Sequence, residues 1–156
     1  MKRVIALLLC LFVPTFAFAS ENEGYKVVYD GGSIPNLKAG KDLRLIAEGT
    51  EIKLISGKDI VLTIPAASVT ELSYGQDVHR RVGAAIGLAV ISFGIGGLMA
   101  LTKSKKHFIG ITYVNGDQKG GFAFQADKSD YRGVLAGLEG VTGKKAVNSD
   151  SMTVKN

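Results

Sequence analysis

The sequence predicts a mainly β domain with one C-terminal helix, interrupted by an apolar segment. Three patterns predict it. Short alternating apolar runs are separated by glycine-containing turns between Tyr25 and Tyr74 and again between Phe108 and Gln125. A helical periodicity follows, with Tyr131, Val134, Leu135, Leu138 and Val141 on one face. Between the two β regions, Val82 to Leu101 carries no charged residue over twenty positions.

Taken in order, Tyr25 to Tyr29 reads as a first strand, and the turn-forming stretch from Gly31 to Lys41 reads as a loop. A meander is expected from Leu43–Ala47, Thr50–Ile55 and Ile60–Ile64, joined at Glu48-Gly49 and at Ser56–Asp59. Glu51, Ile52, Lys53 and Leu54 alternate as a half-buried strand does. Pro65 ends the meander, because proline cannot donate to a ladder inside a sheet. Ser68-Val-Thr-Glu71 matches a helix capping box, but Val69, Thr70, Leu72 and Tyr74 suit a strand and too few residues precede Gly75 for a helix. Asn115-Gly116 predicts a hairpin between Phe108–Val114 and Gly121–Gln125.

For the final helix, Asp127 is the expected N-cap and Gly143 the expected stop, with Lys144 and Lys145 beside the negative end of the helix dipole. Gly133, Gly137 and Gly140 each weaken that helix by about 1 kcal/mol relative to alanine, so it should depend on packing against the sheet. The polar residues 146–156 read as a frayed tail.

Residues 1–19 have the form of a secretory signal peptide. Lys2 and Arg3 precede an apolar run from Val4 to Val13, and Ala17-Phe18-Ala19 makes a small-x-small cleavage site before Ser20. About ten apolar residues are too few to span a bilayer. Cleavage there removes Cys10, the only cysteine, and with it any thiol or disulfide chemistry. Residues 20–145 are then expected to form one β-rich domain with the apolar segment 82–101 inserted in it, exported to the cell envelope.

Charge is distributed unevenly. Without Lys2 and Arg3 the chain has 17 basic and 14 acidic side chains. Arg80, Arg81, Lys103, Lys105 and Lys106 all fall between Val78 and Gly116, where no acidic residue occurs; the remainder is net acidic. The excess positive charge thus flanks one segment, which argues against nucleic acid as a partner.

Twenty uncharged residues as a helix reach about 30 Å, the thickness of a hydrocarbon core. Three readings fit Val82 to Leu101: a single membrane span, a hairpin turning near Gly94 to Gly97 and entering one leaflet, or a buried helix of a soluble domain. A single span conflicts with one sheet built from strands on both sides of it. In either membrane reading Arg80, Arg81, Lys103, Lys105 and Lys106 lie at headgroup level and contact anionic lipid. Small residues at four-residue spacing (Gly83, Gly87, Ser92, Gly96 and Ala100) predict close helix–helix packing and self-association in the bilayer.

Nothing in the sequence assembles a catalytic centre. No nucleophile elbow, zinc-protease helix or complete phosphate-binding loop is present. His79 and His107 flank the apolar segment without a carboxylate or cysteine at ligand spacing; a hairpin is the one geometry that would bring them together. No catalytic, metal or cofactor residue is therefore assigned. Phe108, Tyr113, Phe122, Phe124 and Tyr131 are expected in the core.

The Leu43–Ile64 meander, the Asn115-Gly116 hairpin and the Tyr131–Val141 helix give an element order of about seven strands followed by a helix. That order resembles the pleckstrin-homology-like (PH/GRAM-like) domain proteins of bacteria. The resemblance implies a strongly bent β-sandwich closed at one end by the helix, acting as a binding platform for lipid headgroups, peptides or partner domains. The expected function is a non-enzymatic, membrane-associated envelope protein whose β-rich module binds or scaffolds, tethered by its apolar segment. The alternative is a soluble exported protein that binds a lipid or other apolar ligand, with the segment buried.

Overall fold

The computed structural model describes residues 24–87 and 107–150. The signal peptide, Cys10, residues 88–106 and residues 151–156 lie outside them. So do Ser92, Gly96, Ala100, Lys103, Lys105 and Lys106 among the residues singled out above.

The described chain is mainly β, with one eight-stranded sheet and a C-terminal helix, as the periodicities predict. The strands are β1 (Tyr25–Gly32), β2 (Asp42–Glu48), β3 (Glu51–Ser56), β4 (Asp59–Pro65), β5 (Val69–Tyr74), β6 (His107–Asn115), β7 (Gln118–Ala126) and β8 (Val147–Asn148). A 3-10 turn, Ala66–Ser68, joins β4 to β5; helix α1 (Val78–Ile86) follows β5, and helix α2 (Tyr131–Thr142) follows β7. The order across the sheet is β4-β3-β2-β1-β7-β6-β5-β8. Every pairing is antiparallel except β5 with β8.

One face of the sheet carries the main core. Val27, Tyr29, Leu43, Leu45, Ile52, Leu54, Ile64, Leu72, Ile109, Ile111, Phe122 and Phe124 share one buried cluster with Val134 and Leu138 of α2. Helix α2 touches β2, β5 and the 3-10 turn, although β1, β7 and β6 lie between β2 and β5 in the sheet. The sheet must therefore curve around the core to bring its two halves under one helix. Burial in this core pushes the Tyr29 phenol up to about 12, so it stays neutral.

The internal glycines of α2 have a packing role. A Cβ at Gly133 would sit 3.2 Å from Tyr25 Cε1, and one at Gly137 3.7 Å from Cε2. Their absence lets the Tyr25 ring lie against the helix backbone, which offsets the intrinsic cost of glycine there. The helix stops as expected at Gly143, left-handed at φ 67, whose N–H donates to the Glu139 carbonyl.

Four local expectations are corrected. The N-cap of α2 is Asp130 rather than Asp127, which instead forms the preceding turn by accepting from the N–H groups of Asp130 and Tyr131. The β6–β7 turn is centred on Gly116-Asp117, since Asn115 still pairs with Gln118; Gly116 takes φ 61 at the first central position. Residues 146–150 are not a frayed tail. Val147 and Asn148 pair with Ser73 and Tyr74, and buried Ser149 donates from its N–H and its Oγ to the Tyr74 carbonyl.

The fourth correction concerns the apolar segment. Its first six positions, Val82 to Gly87, do not open a long membrane helix. They form the end of α1, which starts upstream at Val78, packs on the sheet and stops at Gly87 in a left-handed cap (φ 71). Among the described residues no helix is long and apolar enough to cross a membrane.

Candidate functional site

Helix α1 marks the point where the chain leaves the sheet for the apolar segment. It lies on the sheet face opposite the main core, over β6 and β7. Val78 and Val82, one turn apart and both fully buried, point down into a second small cluster with Phe108 and Ala123, flanked by Ile86. Each buried valine contributes on the order of 1.5–3 kcal/mol. Nine residues are too few to be helical alone in water, so this docking is what keeps α1 folded.

The strands beneath are cut away to receive it. A Cβ at Gly110 would stand 2.6 Å from Val78 Cγ1 and 2.7 Å from both Val82 Cγ2 and Ser73 Oγ. A Cβ at Gly121 would stand 3.1 Å from Val82 Cγ1 and Ile86 Cγ2. Together with Ala123, these positions form a shallow seat that only small residues permit.

Two acid–base pairs hold the helix at its flanks. His79 and Arg81 are two residues apart, so they project to opposite sides of α1. His79 Nε2 lies 2.9 Å from Asp30 Oδ2 on β1, and its ring meets Phe108 edge-on at 4.8 Å. Arg81 reaches the other way to Glu71 on β5, donating from Nη2 to Oε2 at 2.9 Å and from Nε to Oε1. The Glu71 hydrogen bonds raise the Arg81 guanidinium further above its already high ordinary value. Both acids sit at β-bulges. The β1–β7 register shifts between Tyr29 and Gly31, leaving Asp30 as the extra residue; the β5–β6 register shifts between Val69 and Glu71. Bulges re-aim side chains, and here they turn two carboxylates toward one helix.

The C-terminal segment closes the start of α1. Asp150 Oδ1 accepts from the Gln76 N–H and, at 3.4 Å, from the Asp77 N–H. The carboxylate thereby serves as a cap supplied from the far end of the chain, at the positive end of the helix dipole. Asp150→Ala is expected to lower stability by about 1 kcal/mol, seen as a lower urea midpoint with an unchanged m-value.

The predicted site residues are thus redistributed. Of the two arginines on α1, only Arg80 is exposed. Arg81 is taken from the headgroup set, because its charge is spent on Glu71. Gly83 is buried on the docked helix, so it is not available to a second helix; Gly87 is exposed and serves as the C-cap. The histidines also separate in role. His79 has the carboxylate neighbour that local spacing does not reveal, while His107 stacks on Tyr131 at 4.4 Å. Among the described residues no group of three or more His, Cys, Asp or Glu side chains could hold a metal ion. Asp30, Glu71 and Asp150 were not signalled in the sequence, since each reaches α1 through a bulge or a long-range pairing.

The fold and this docked helix define a mainly β protein with an apolar insertion between two neighbouring strands. Comparison with family models finds no match, and comparison with curated proteins finds none either.

Proposed function

We propose that the chain is a non-enzymatic, membrane-associated module of the cell envelope, exported by residues 1–19 and attached to the bilayer by its internal apolar segment. One observation carries the reading. Tyr74 of β5 and Ile109 of β6 are paired neighbours, and the chain between these strands is α1 plus the segment in question. Any bilayer attachment therefore leaves from and returns to one sheet, on one side of the membrane.

The length of the segment supports the same choice. Once α1 has taken Val82 to Gly87, fourteen uncharged positions remain, Leu88 to Leu101. As a helix they would reach about 21 Å, short of a 30 Å hydrocarbon core. A one-sided attachment fits that length, with Arg80, Lys103, Lys105 and Lys106 at the headgroups. The β-rich module is the binding or scaffolding surface. Seven strands followed by a helix that packs across a curved sheet support the resemblance to PH-like domains, and the seat beneath α1 supports a fixed rather than a loose tether.

Two measurements test it. Membranes from cells making the full chain are washed with alkaline carbonate; retention is expected, and full release would sink the proposal. Single cysteines at exposed Lys58 and Lys145 should both react with an impermeant maleimide added from the same side. Labelling from opposite sides would overturn the one-sided attachment.

A further inference from the structure

We propose that the α1-bearing face of the sheet holds a second site, a groove on β1, β2 and β3 that binds a compact zwitterion: a phosphate ester joined through a short chain to an ammonium group. The groove has a volume of about 570 Å³ and is lined by Lys26, Val28, Asp42, Arg44, Ile55 and Asp127, among others. That volume lies within the range of small-ligand sites.

The register fixes the pattern of charges. Lys26 pairs directly with Arg44 across β1 and β2, and Arg44 pairs in turn with Ile55. Val28 pairs with Asp42 in the next row of the same face. Like charges directly opposite each other are destabilising in a sheet, so an anion placed between Lys26 and Arg44 relieves a repulsion already present. Neither cation belongs to any ion pair among the described residues, and neither do Asp42 and Asp127.

The carboxylates choose the rest of the ligand. Asp42 stands two residues from Arg44 along β2, about 7 Å away, and Asp127 follows the end of β7 on the other side. A polyanion long enough to fill the groove would meet both carboxylates and be repelled. A ligand with one oxyanion on the Lys26–Arg44 pair and an ammonium beside Asp42 satisfies both signs at once. Val28 and Ile55, each half-buried, offer an apolar surface to the methylenes between them.

The ligand chemistry has two sources, a free phosphoethanolamine ester or a phosphatidylethanolamine headgroup, and the test separates them. The full-length chain in a neutral detergent is titrated with glycerophosphoethanolamine while the amide shifts of Val27, Val28 and Leu43 are followed. Saturable binding is expected, with glycerophosphate and ethanolamine each at least 10-fold weaker. Lys26→Ala and Arg44→Ala should each weaken binding at least 10-fold, and Asp42→Asn should erase the preference for the amine. All four charged side chains are exposed, so these variants leave the core intact. Absence of saturable shifts, or equal binding by the Lys26→Ala/Arg44→Ala double variant, would overturn the proposal. Flotation with vesicles of phosphatidylcholine, alone or mixed equally with phosphatidylethanolamine, then assigns the source. A gain with the mixture that Arg44→Ala abolishes points to the headgroup; free-ligand binding without that gain points to the soluble ester.

Discussion

Gly110→Val is expected to destabilise the protein by about 3 kcal/mol, the upper end of the range for overpacking. The backbone at Gly110 is ordinary extended strand, so the effect is steric and not conformational. The first carbon of the new side chain would already fall within 2.7 Å of Val78 and Val82, and two methyl groups would follow it. Because α1 is too short to be helical undocked, the response should be loss of the helix from its seat rather than a small adjustment. Thermal unfolding should drop by roughly 10 °C or more. Amide exchange should show protection lost first in Val78–Ile86, with β1–β4 protected for longer. Gly110→Ala combined with Val82→Ala should be less damaging than the sum of the two single changes, since each makes room for the other. A Gly110→Val protein with unchanged stability would refute the seat.

Glu71→Ala has the second-largest expected effect, about 2 kcal/mol. Both partners are mostly buried, at 17% and 32% side-chain exposure, and Arg81 Nη1 is buried without a hydrogen-bond acceptor. Removing the carboxylate leaves a permanently charged guanidinium with nothing to hold it, and hydrogen bonds to charged groups carry about 1.5–3 kcal/mol each. The double change Glu71→Ala/Arg81→Met should cost less than Glu71→Ala alone, because it removes the stranded charge together with its partner. A double-mutant cycle by urea unfolding reads this directly; a coupling energy near zero would mean the pair is only a surface contact.

These two expectations rest on features with different visibility in the sequence. Period-2 alternation and glycine turns located β1 to β7 to within a few residues, because each strand has one face that must be apolar and one that need not be. The 3.6-residue periodicity located α2 for the same reason. Val78 and Val82 obey that periodicity too, yet they merge into the uncharged run that follows, and composition alone cannot tell a docked helix from the start of a membrane segment. Gly110 and Gly121 look like strand-weakening residues until α1 lies on them. Asp30, Glu71 and Asp150 are unremarkable carboxylates whose roles depend on two bulges and on a parallel pairing at the far end of the chain.

By itself, the sequence determined the class of the fold, the position of most strands, the final helix and the concentration of positive charge around one uncharged segment. All of these follow from local periodicity and composition. The tertiary structure alone decided that the segment begins with a short helix clamped to the sheet, that Arg81 is spent on Glu71, and that Lys26 and Arg44 stand opposite each other with no acid between them. Each is a matter of register between strands, and register is set by which face is buried once every strand has found its neighbour.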